Sequence, residues 1–226
     1  MSTEIFNAIA ARYDVTNYAL SFGMDIGWRR RIIDHLPGGN ELAALDLATG
    51  TADVAIVLAR DPRVRRVVGI DMSEGMLNFA RAKVLKAGLG SKIELMTADA
   101  LALAFPDESF DVLTVAFGIR NFSDLMKGLA EAYRVLKPGG RFIILEFSTP
   151  PGIIQKFVHG FYLKNMVPFI GMTLTGKKEA YAYLSRTVRA FPFGDRFARI
   201  IRQAGFNRVE RCELAMGTAT IYAAIK

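Results

Sequence analysis

The stretch AALDLATGTAD at residues 43–53, together with VVGID at residues 67–71, decides the fold of this chain. An apolar run ends at Asp46, a turn of small residues and a helix-like segment follow, and a second apolar run ends at Asp71. This order predicts a strand, a tight turn, a helix and a second strand with a carboxylate at its carboxyl end. In an open parallel sheet, the ribose of a nucleoside cofactor binds at that position.

The turn after the first strand restricts the kind of nucleoside. It contains a single glycine, Gly50, and matches poorly the G-x-G-x-x-G pattern that brings a backbone against a pyrophosphate. A nucleoside cofactor without a pyrophosphate fits better, and S-adenosylmethionine is the obvious one. Thr49, Gly50 and Thr51 would then approach its methionine part, with backbone N–H groups at the helix start facing its carboxylate.

Acidic residues at three successive strand ends extend this prediction. Asp46 closes the first strand, and Asp71 would accept hydrogen bonds from both ribose hydroxyls. Met72 would pack on the adenine ring, and Asp99 with Ala100 would contact the adenine amino group. A single acidic residue at a strand end is often a helix N-cap, but capping alone hardly explains three. The pattern therefore predicts a cofactor site at the carboxyl edge of the sheet.

Apolar runs alternate with helical periodicity after about residue 40, which favours βαβ units and a parallel sheet. We expect an α/β fold of the class I, Rossmann-like methyltransferase type, with seven mostly parallel strands and a C-terminal antiparallel hairpin. The expected strands are 43–47, 66–70, 92–96, 110–116, 141–147, 208–214 and 219–225. Helices are expected at 53–60, 74–87, 123–136 and 194–204, and KPGG at 137–140 is expected to form a helix stop and tight turn.

Two segments fall outside that sheet, although the chain, 1–226, is expected to form one domain. Residues 1–36 have a helical pattern rich in aromatics, which predicts a cap. Residues 150–190 are apolar and interrupted by glycines. An insertion between the fifth and sixth strands must lie over the carboxyl edge, so it predicts a helical lid over a hydrophobic tunnel or facing a membrane. Extra helices packed for stability are the alternative.

Charge and composition limit the partners. The net charge is +7, and the cations occur in small groups without a basic tail. Nucleic-acid binding is therefore not favoured, whereas a solvated surface or attraction to an anionic membrane accounts for the charge. No apolar stretch reaches the roughly 18 residues of a membrane span, and no signal peptide is evident. We expect a cytoplasmic protein, with a peripheral position on the inner face of the membrane as an option.

Cysteine and histidine usage argues against a metal site. The single cysteine, Cys212, excludes an internal disulfide and zinc sites built on cysteine pairs. His35 and His159 are the only histidines, and no carboxylate cluster accompanies them. We therefore expect no metal. The sequence leaves the oligomeric state open, with a homodimer among the options.

Motifs along nearly the whole chain resemble those of the quinone-biosynthesis C-methyltransferases, the UbiE/MenG group. The most specific are FGIRN at 117–121, RVLKPGG at 134–140 and LEFS at 145–148. FNAIAARYDVTNYALSFGMDIGWRR at 6–30 and AYAYLSRTVRAFP at 180–192 add to the resemblance. It implies C-methylation of a prenylated quinol by S-adenosylmethionine, above all of demethylmenaquinol to menaquinol, with a ubiquinone-pathway benzoquinol as a further substrate.

The same resemblance implies the cofactor contacts. They fall on Thr51, Asp71, Asp99 and Ala100. Some members of the group carry a serine where this chain has Ala116, so a hydroxyl contact at that position is absent here.

Ring methylation also needs a group that makes the quinol carbon nucleophilic, either a base or a stabiliser of the phenolate. Arg120 and Asn121 are expected beside the reacting methyl group, and the resemblance puts Arg120 at the catalytic site. Arginine is too basic to accept a proton readily, so we assign Arg120 the stabilising role. A salt bridge that holds the cap shut is its alternative role. Tyr13, Asp14 and Asn17 are further candidates, with Asp14 as the base if the cap folds over the pocket.

Three other functions stay open. The same fold serves methylation of another apolar small molecule, such as a sterol or a natural-product phenol. A nicotinamide-dependent oxidoreductase would also place a carboxylate after the second strand, but it needs a fuller glycine turn and a hydride-site pair that we do not find. A non-catalytic cofactor-binding protein would have no need of Arg120 and Asn121.

Overall fold

The computed structural model describes residues 10–150, 160–167 and 178–226, together with positions 4, 7, 152, 157, 169, 172 and 173. Parts of the expected cap (1–36) and lid (150–190), and His159, lie outside the described residues.

A seven-stranded sheet forms the centre of the described structure. The strands are β1 Leu42–Leu47, β2 Val64–Asp71, β3 Ile93–Thr97, β4 Phe110–Ala116, β5 Leu136–Phe147, β6 Arg208–Leu214 and β7 Ala219–Ile225. Their order in the sheet is β3-β2-β1-β4-β5-β7-β6; the first five of these are parallel, and β7 runs antiparallel to both β5 and β6. Every residue of β1 is buried, as expected of a strand with helices on both faces.

Helices cover both faces of the sheet. The described helices are α1 Tyr13–Ser21, α2 Met24–Arg30, α3 Asp53–Arg60, α4 Glu74–Lys86, α5 Leu125–Val135, α6 Lys178–Ala190 and α7 Gly194–Gln203, with a π-helical turn at Tyr162–Met166. Residues of α5 and α7, such as Leu129 and Phe197, pack on one face, and residues of α2, α3 and α4, such as Trp28 and Val84, pack on the other.

The predicted elements are present, with one exception in the turn at 137–140. β5 begins at Leu136 and continues through that segment without a tight turn. Phe110 pairs with Leu136 and Val112 with Arg141, so a bulge absorbs the extra residues. Gly139 in the bulge has φ +74° and donates its N–H to the carbonyl of Lys226 at 3.0 Å. The prediction of a turn was wrong because glycine supplies positive φ to a bulge as well as to a turn.

Cap and lid meet at the carboxyl edge of the parallel strands. The hydroxyl of Tyr162 donates to the carbonyl of Leu20 at 2.5 Å, and the rings of Phe22 and Tyr162 lie 6.2 Å apart. The hydroxyl of Tyr183 on α6 donates to Oδ1 of Asn121 at 3.2 Å. The lid segment therefore contacts both the cap and the loop after β4.

None of the helices that the structure describes has the length and apolar character needed to cross a membrane.

Candidate active site

The turn after β1 is supported from beneath by Asp46. Its side chain is 1% exposed, and its oxygens accept hydrogen bonds from the hydroxyls of Thr49 and Thr114, each at 2.6 Å. Burial raises the pKa of Asp46 to about 6, although the two threonine hydrogen bonds act to lower it. Asp46 thus lies in the sheet interior and shapes the turn from below.

The turn itself adopts a strained backbone. Ala48, Gly50 and Ala52 have φ of 50°, 56° and 67°, so left-handed residues occur at alternate positions. This conformation costs an alanine about 1 kcal/mol, and such strain is typical of functional sites. No atom lies within 4 Å of the point where a Cβ of Gly50 would stand. The turn therefore leaves open space at Gly50 for a ligand.

Asp71 stands at the end of β2. Its Oδ2 accepts the N–H of Gly50 at 2.9 Å, and its Oδ1 accepts the N–H of Ser73 at 2.8 Å. Burial raises the pKa of Asp71, against the lowering effect of the backbone N–H groups. These bonds fix the orientation of the carboxylate, and each oxygen keeps a lone pair for a ligand hydroxyl.

A cleft runs along these strand ends. Its volume is about 230 Å³, and about 990 Å³ when the open mouth is included. Met72 is 55% exposed and so is available to a flat ring. Oδ1 of Asp99 accepts the N–H of Leu101 at 2.9 Å, which fixes the loop after β3. The cleft brings together eight predicted residues: Tyr13, Gly50, Asp71, Met72, Asp99, Ala100, Ala116 and Asn121.

Sequence reasoning missed about half of the cleft wall. Most of the missed residues stand within a few positions of a predicted one, so the strand-end signal extends to them. Gly118 has a packing reason, since a Cβ there would lie 2.7 Å from the Cβ of Ala48. Phe117 has a left-handed φ of 56°, which no sequence signal indicates. The missed residues are Ala48, Ser73, Met76, Ala98, Leu101, Phe117, Gly118, Phe122 and Ser123.

Arg120 does not line the described cleft wall but engages the sheet. Its side chain is 5% exposed, and Nη1 donates to Glu146 at 2.8 Å and to the carbonyl of Phe117. Burial raises the pKa of Glu146, and the charge of Arg120 opposes that rise. Nε of Arg120 and Oε2 of Glu146 have no hydrogen-bond partner among the described residues. The arginine thus ties the loop after β4 to the end of β5, and its salt bridge is made with the sheet instead of the cap.

The predicted residues Asp14, Thr49 and Thr51 lie behind the cleft wall. The carboxylate of Asp14 on α1 accepts hydrogen bonds from the hydroxyl of Thr51 at 2.6 Å and from Nζ of Lys83 at 2.5 Å. Thr51 is buried, and Asn17 is half-buried on the same helix as Asp14. These contacts join the cap to the turn after β1, with Thr51 as the residue of the turn that contacts the cap.

The residues present fit a nucleoside that carries a positive charge. Among the described residues that line the cleft, the only charged side chains are Asp71 and Asp99, and both are acidic. A carboxylate pair attracts a cation such as a sulfonium and repels a pyrophosphate. Backbone N–H groups fix the carboxylate of Asp71, and Gly50 leaves space for a ligand. The acidic lining of the cleft therefore suits S-adenosylmethionine better than a dinucleotide.

Known proteins share this architecture. The model of the ubiE/COQ5 methyltransferase family matches residues 2–226. A demethylmenaquinone methyltransferase of Bacteroides fragilis is 43% identical over 223 residues, which cover 99% of this chain and 91% of the relative. A ubiquinone/menaquinone biosynthesis C-methyltransferase UbiE of Geotalea daltonii is 43% identical over 223 residues and covers 97% of this chain and 93% of its own.

Solved structures confirm the predicted fold class. A SAM-dependent methyltransferase of Aquifex aeolicus matches with a TM-score of 0.62 at 21% identity, and the match covers 88% of this chain and 89% of that one.

Proposed function

Because this chain belongs to the ubiE/COQ5 methyltransferase family, we propose that it methylates a ring carbon of a prenylated quinol, with demethylmenaquinol as the preferred substrate. The chain is an S-adenosylmethionine-dependent methyltransferase. One observation carries the proposal: a single cleft is lined both by the carboxylates of Asp71 and Asp99 and by the side chains of Tyr13, Phe117 and Asn121. A charged cofactor and an aromatic guest can meet there.

In the proposed complex, different residues of the cleft bind the ribose, the adenine and the methionine part of the cofactor. Asp71 would accept hydrogen bonds from the ribose hydroxyls, and Met72 would pack on the adenine. The Asp99–Ala100 segment would accept a hydrogen bond from the adenine amino group. The backbone at Gly50 would face the methionine part, with Asp46, Thr49 and Thr51 holding that backbone in place. Bound S-adenosylmethionine supplies an electrophilic methyl group on a sulfonium.

The proposed substrate contacts come from two other residues that line the same cleft. Asn121 and Tyr13 carry hydrogen-bonding groups at the cleft surface, where a quinol oxygen would lie. A hydrogen bond to the phenolate stabilises the charge that makes the ring carbon nucleophilic. Holding the ring carbon at near-attack distance supplies much of the remaining acceleration.

Arg120 acts on this chemistry from behind the wall. Its guanidinium fixes the carbonyl of Phe117 and the carboxylate of Glu146, and its charge favours a phenolate in the adjoining cleft. Asp14 would act by docking the helix that carries Tyr13, since both of its oxygens already accept hydrogen bonds. We propose that the chain, 1–226, works as one domain in which the cap and the lid close over the cleft.

The experiment is an assay of methyl transfer from labelled S-adenosylmethionine to short-tail demethylmenaquinol, run beside the ubiquinone-pathway benzoquinol, a sterol and a simple phenol. We expect product from demethylmenaquinol, with kcat/KM at least tenfold above that for the sterol and the phenol. Turnover of the sterol or phenol at an equal rate would overturn the quinol assignment. Failure of the purified protein to bind S-adenosylmethionine would overturn the cofactor assignment.

We also propose that the enzyme takes its lipophilic substrate from the cytoplasmic face of the membrane. Exposed apolar side chains concentrate on the cap and lid, next to the cleft. Phe22 is 74% exposed, Phe161 56% and Phe169 63%, and Phe22 packs on Tyr162 across the cap–lid contact. Lys164 is exposed on the same π-helical turn as Tyr162. Aromatic side chains beside a cation suit insertion among anionic headgroups.

Sedimentation with vesicles tests the membrane proposal. We expect the protein to bind vesicles of anionic phosphatidylglycerol, to bind neutral phosphatidylcholine weakly, and to lose binding in the Phe22→Ser/Phe161→Ser variant. Equal behaviour of the variant and the wild type would overturn the assignment of this face. A concentration-dependent dimer that the same variant abolishes would instead assign the face to a homodimer contact.

A further inference from the structure

Lys83 on α4 connects three elements that surround the active site. Its Nζ lies 2.5 Å from Oδ2 of Asp14 on the cap helix and 2.6 Å from Oδ1 of Asp53 at the start of α3. A third contact of 3.2 Å reaches the hydroxyl of Thr51 in the turn after β1. An ammonium group has three donors, so this geometry uses all of them.

The ammonium separates two carboxylates. Asp53 has a second cation nearby, since Nε of Arg29 lies 3.8 Å from its Oδ2. Asp14 has only Lys83 among the ion pairs of the described residues. Burial acts to lower the pKa of Lys83, but the charges of Asp53 and Asp14 together outweigh burial, so the net effect is a raised pKa. Lys83 therefore stays charged at neutral pH. Without Lys83, Asp14 would lose the cation that neutralises it.

The contact extends to the cleft through the neighbours of Asp14 and Thr51. Tyr13 precedes Asp14 on the chain and lines the cleft, as does Gly50, which precedes Thr51. The hydroxyl of Thr51 donates to Oδ1 of Asp14 at 2.6 Å, so cap and turn are linked directly as well as through the ammonium. Moving the cap away from Lys83 would withdraw Tyr13 and release the turn together.

We infer that Lys83 is a positioning residue of the methyl-transfer site, which docks the cap on the cofactor turn through Asp14, Thr51 and Asp53. The inference rests on the proposed function. Lys83 touches neither cofactor nor substrate in this assignment; it sets the position of Tyr13 and of the turn that faces the methionine part. Cofactor binding and cap docking are then coupled, since both use the same turn.

Lys83→Met tests the inference, with Lys137→Met as the matched control. Lys137 makes a 2.8 Å pair with Asp111 at the opposite edge of the sheet, and its side chain is 43% exposed against 32% for Lys83. The cofactor dissociation constant can be followed through Trp28, the single tryptophan, which packs against Phe117 at 6.2 Å. Hydrogen exchange of residues 13–21 reports cap docking.

We expect Lys83→Met to weaken S-adenosylmethionine binding about tenfold, to speed hydrogen exchange in residues 13–21 and to lower kcat. Lys137→Met should leave all three unchanged. Lys83→Arg, which keeps the charge, should recover part of the loss. Lys83→Met/Asp14→Asn should also recover part of it, because the unneutralised carboxylate is gone.

The outcomes separate the two proposals. If the wild type fails to bind S-adenosylmethionine, the proposed function falls. If the wild type binds it and Lys83→Met matches the wild type in affinity and in exchange of residues 13–21, the role of Lys83 alone falls. If Lys83→Met does not fold, the Lys83→Arg and double variants decide: a loss of stability without any change in cofactor affinity would assign Lys83 to structure and overturn the inference.

Discussion

The two walls of the cleft are held in place by different contacts. The proposed cofactor wall, made of Gly50, Asp71, Met72, Asp99 and Ala100, stands on the ends of parallel strands and is fixed by backbone N–H groups. The proposed substrate wall, made of Tyr13, Phe117 and Asn121, depends on side chains that reach from cap, sheet and lid.

This difference indicates which residues should control cofactor affinity and which should control turnover. A strand end is fixed by the whole sheet, so Asp71 and Asp99 keep their positions whether or not the cap is docked, whereas the turn at Gly50 is tied to the cap through Thr51 and Lys83. The substrate wall rests on Arg120, Lys83 and Tyr183, and each of them joins elements distant in the sequence. Changes in the first wall should therefore alter cofactor affinity, changes at Arg120 or Tyr183 should alter turnover, and a change at Lys83, which also contacts the turn, should alter both.

The largest effect is expected from breaking the buried pair behind the substrate wall. Arg120→Met leaves Glu146, 1% exposed, without its cation, and loss of one partner of a buried pair costs about 4 kcal/mol. We expect that loss in the free energy of unfolding, measured with urea, together with loss of methyl transfer. In Arg120→Met/Glu146→Leu, stability should largely return while activity does not. An unchanged unfolding midpoint in Arg120→Met would contradict this account of the substrate wall.

The second-largest effect is expected at Asp46 beneath the cofactor wall, as a pH dependence of the free energy of unfolding. Burial raises the pKa of Asp46 to about 6 in the folded chain, against about 3.9 when unfolded. The folded state thus holds this proton more tightly, so the contribution is fully present below pH 4 and is lost as pH rises through 6. It amounts to about 3 kcal/mol. The difference in unfolding free energy between the wild type and Asp46→Asn should change by about 3 kcal/mol from pH 4 to pH 7. A difference that stays constant over this range would contradict the raised pKa of Asp46.

Cofactor affinity is the sharpest test of the cofactor wall. Asp71→Ala removes the carboxylate that would bind the ribose and releases the N–H groups of Gly50 and Ser73. We expect the dissociation constant for S-adenosylmethionine, measured by calorimetry, to rise about 100-fold, because two charge-assisted hydrogen bonds are lost. The dissociation constant of Asp71→Asn should lie between those of the wild type and Asp71→Ala. An affinity within a factor of two of the wild type would move the ribose elsewhere.

The smallest effect is expected at the contact between the lid and the substrate wall. Tyr183→Phe removes the hydroxyl that donates to Oδ1 of Asn121, so the amide is free to rotate. We expect kcat/KM for the quinol to fall about tenfold, with cofactor affinity unchanged. Tyr133→Phe, whose ring packs on Phe206, serves as the control. A fall in cofactor affinity would show that the contact between Tyr183 and Asn121 also supports the cofactor wall.

Most of the fold could be predicted from the sequence, and so could the gathering of the strand-end residues Gly50, Asp71 and Asp99 around one cleft. β4, β6 and β7 have the bounds that alternation and turn residues indicate. The bulge in β5 could not be predicted, because a glycine with positive φ signals a turn equally well. The strained φ of Phe117 at the cleft also has no signal in the residue type.

The sequence by itself determined the sheet, its cofactor edge and the residues at the strand ends, because strand and helix periods are local and parallel strands all finish at one edge. Only the tertiary structure decided which side chains support the site from behind. Asp14 meets Thr51 across 37 positions and Arg120 meets Glu146 across 26. Such partners depend on how the helices pack on the sheet, and no local pattern of residues encodes that packing.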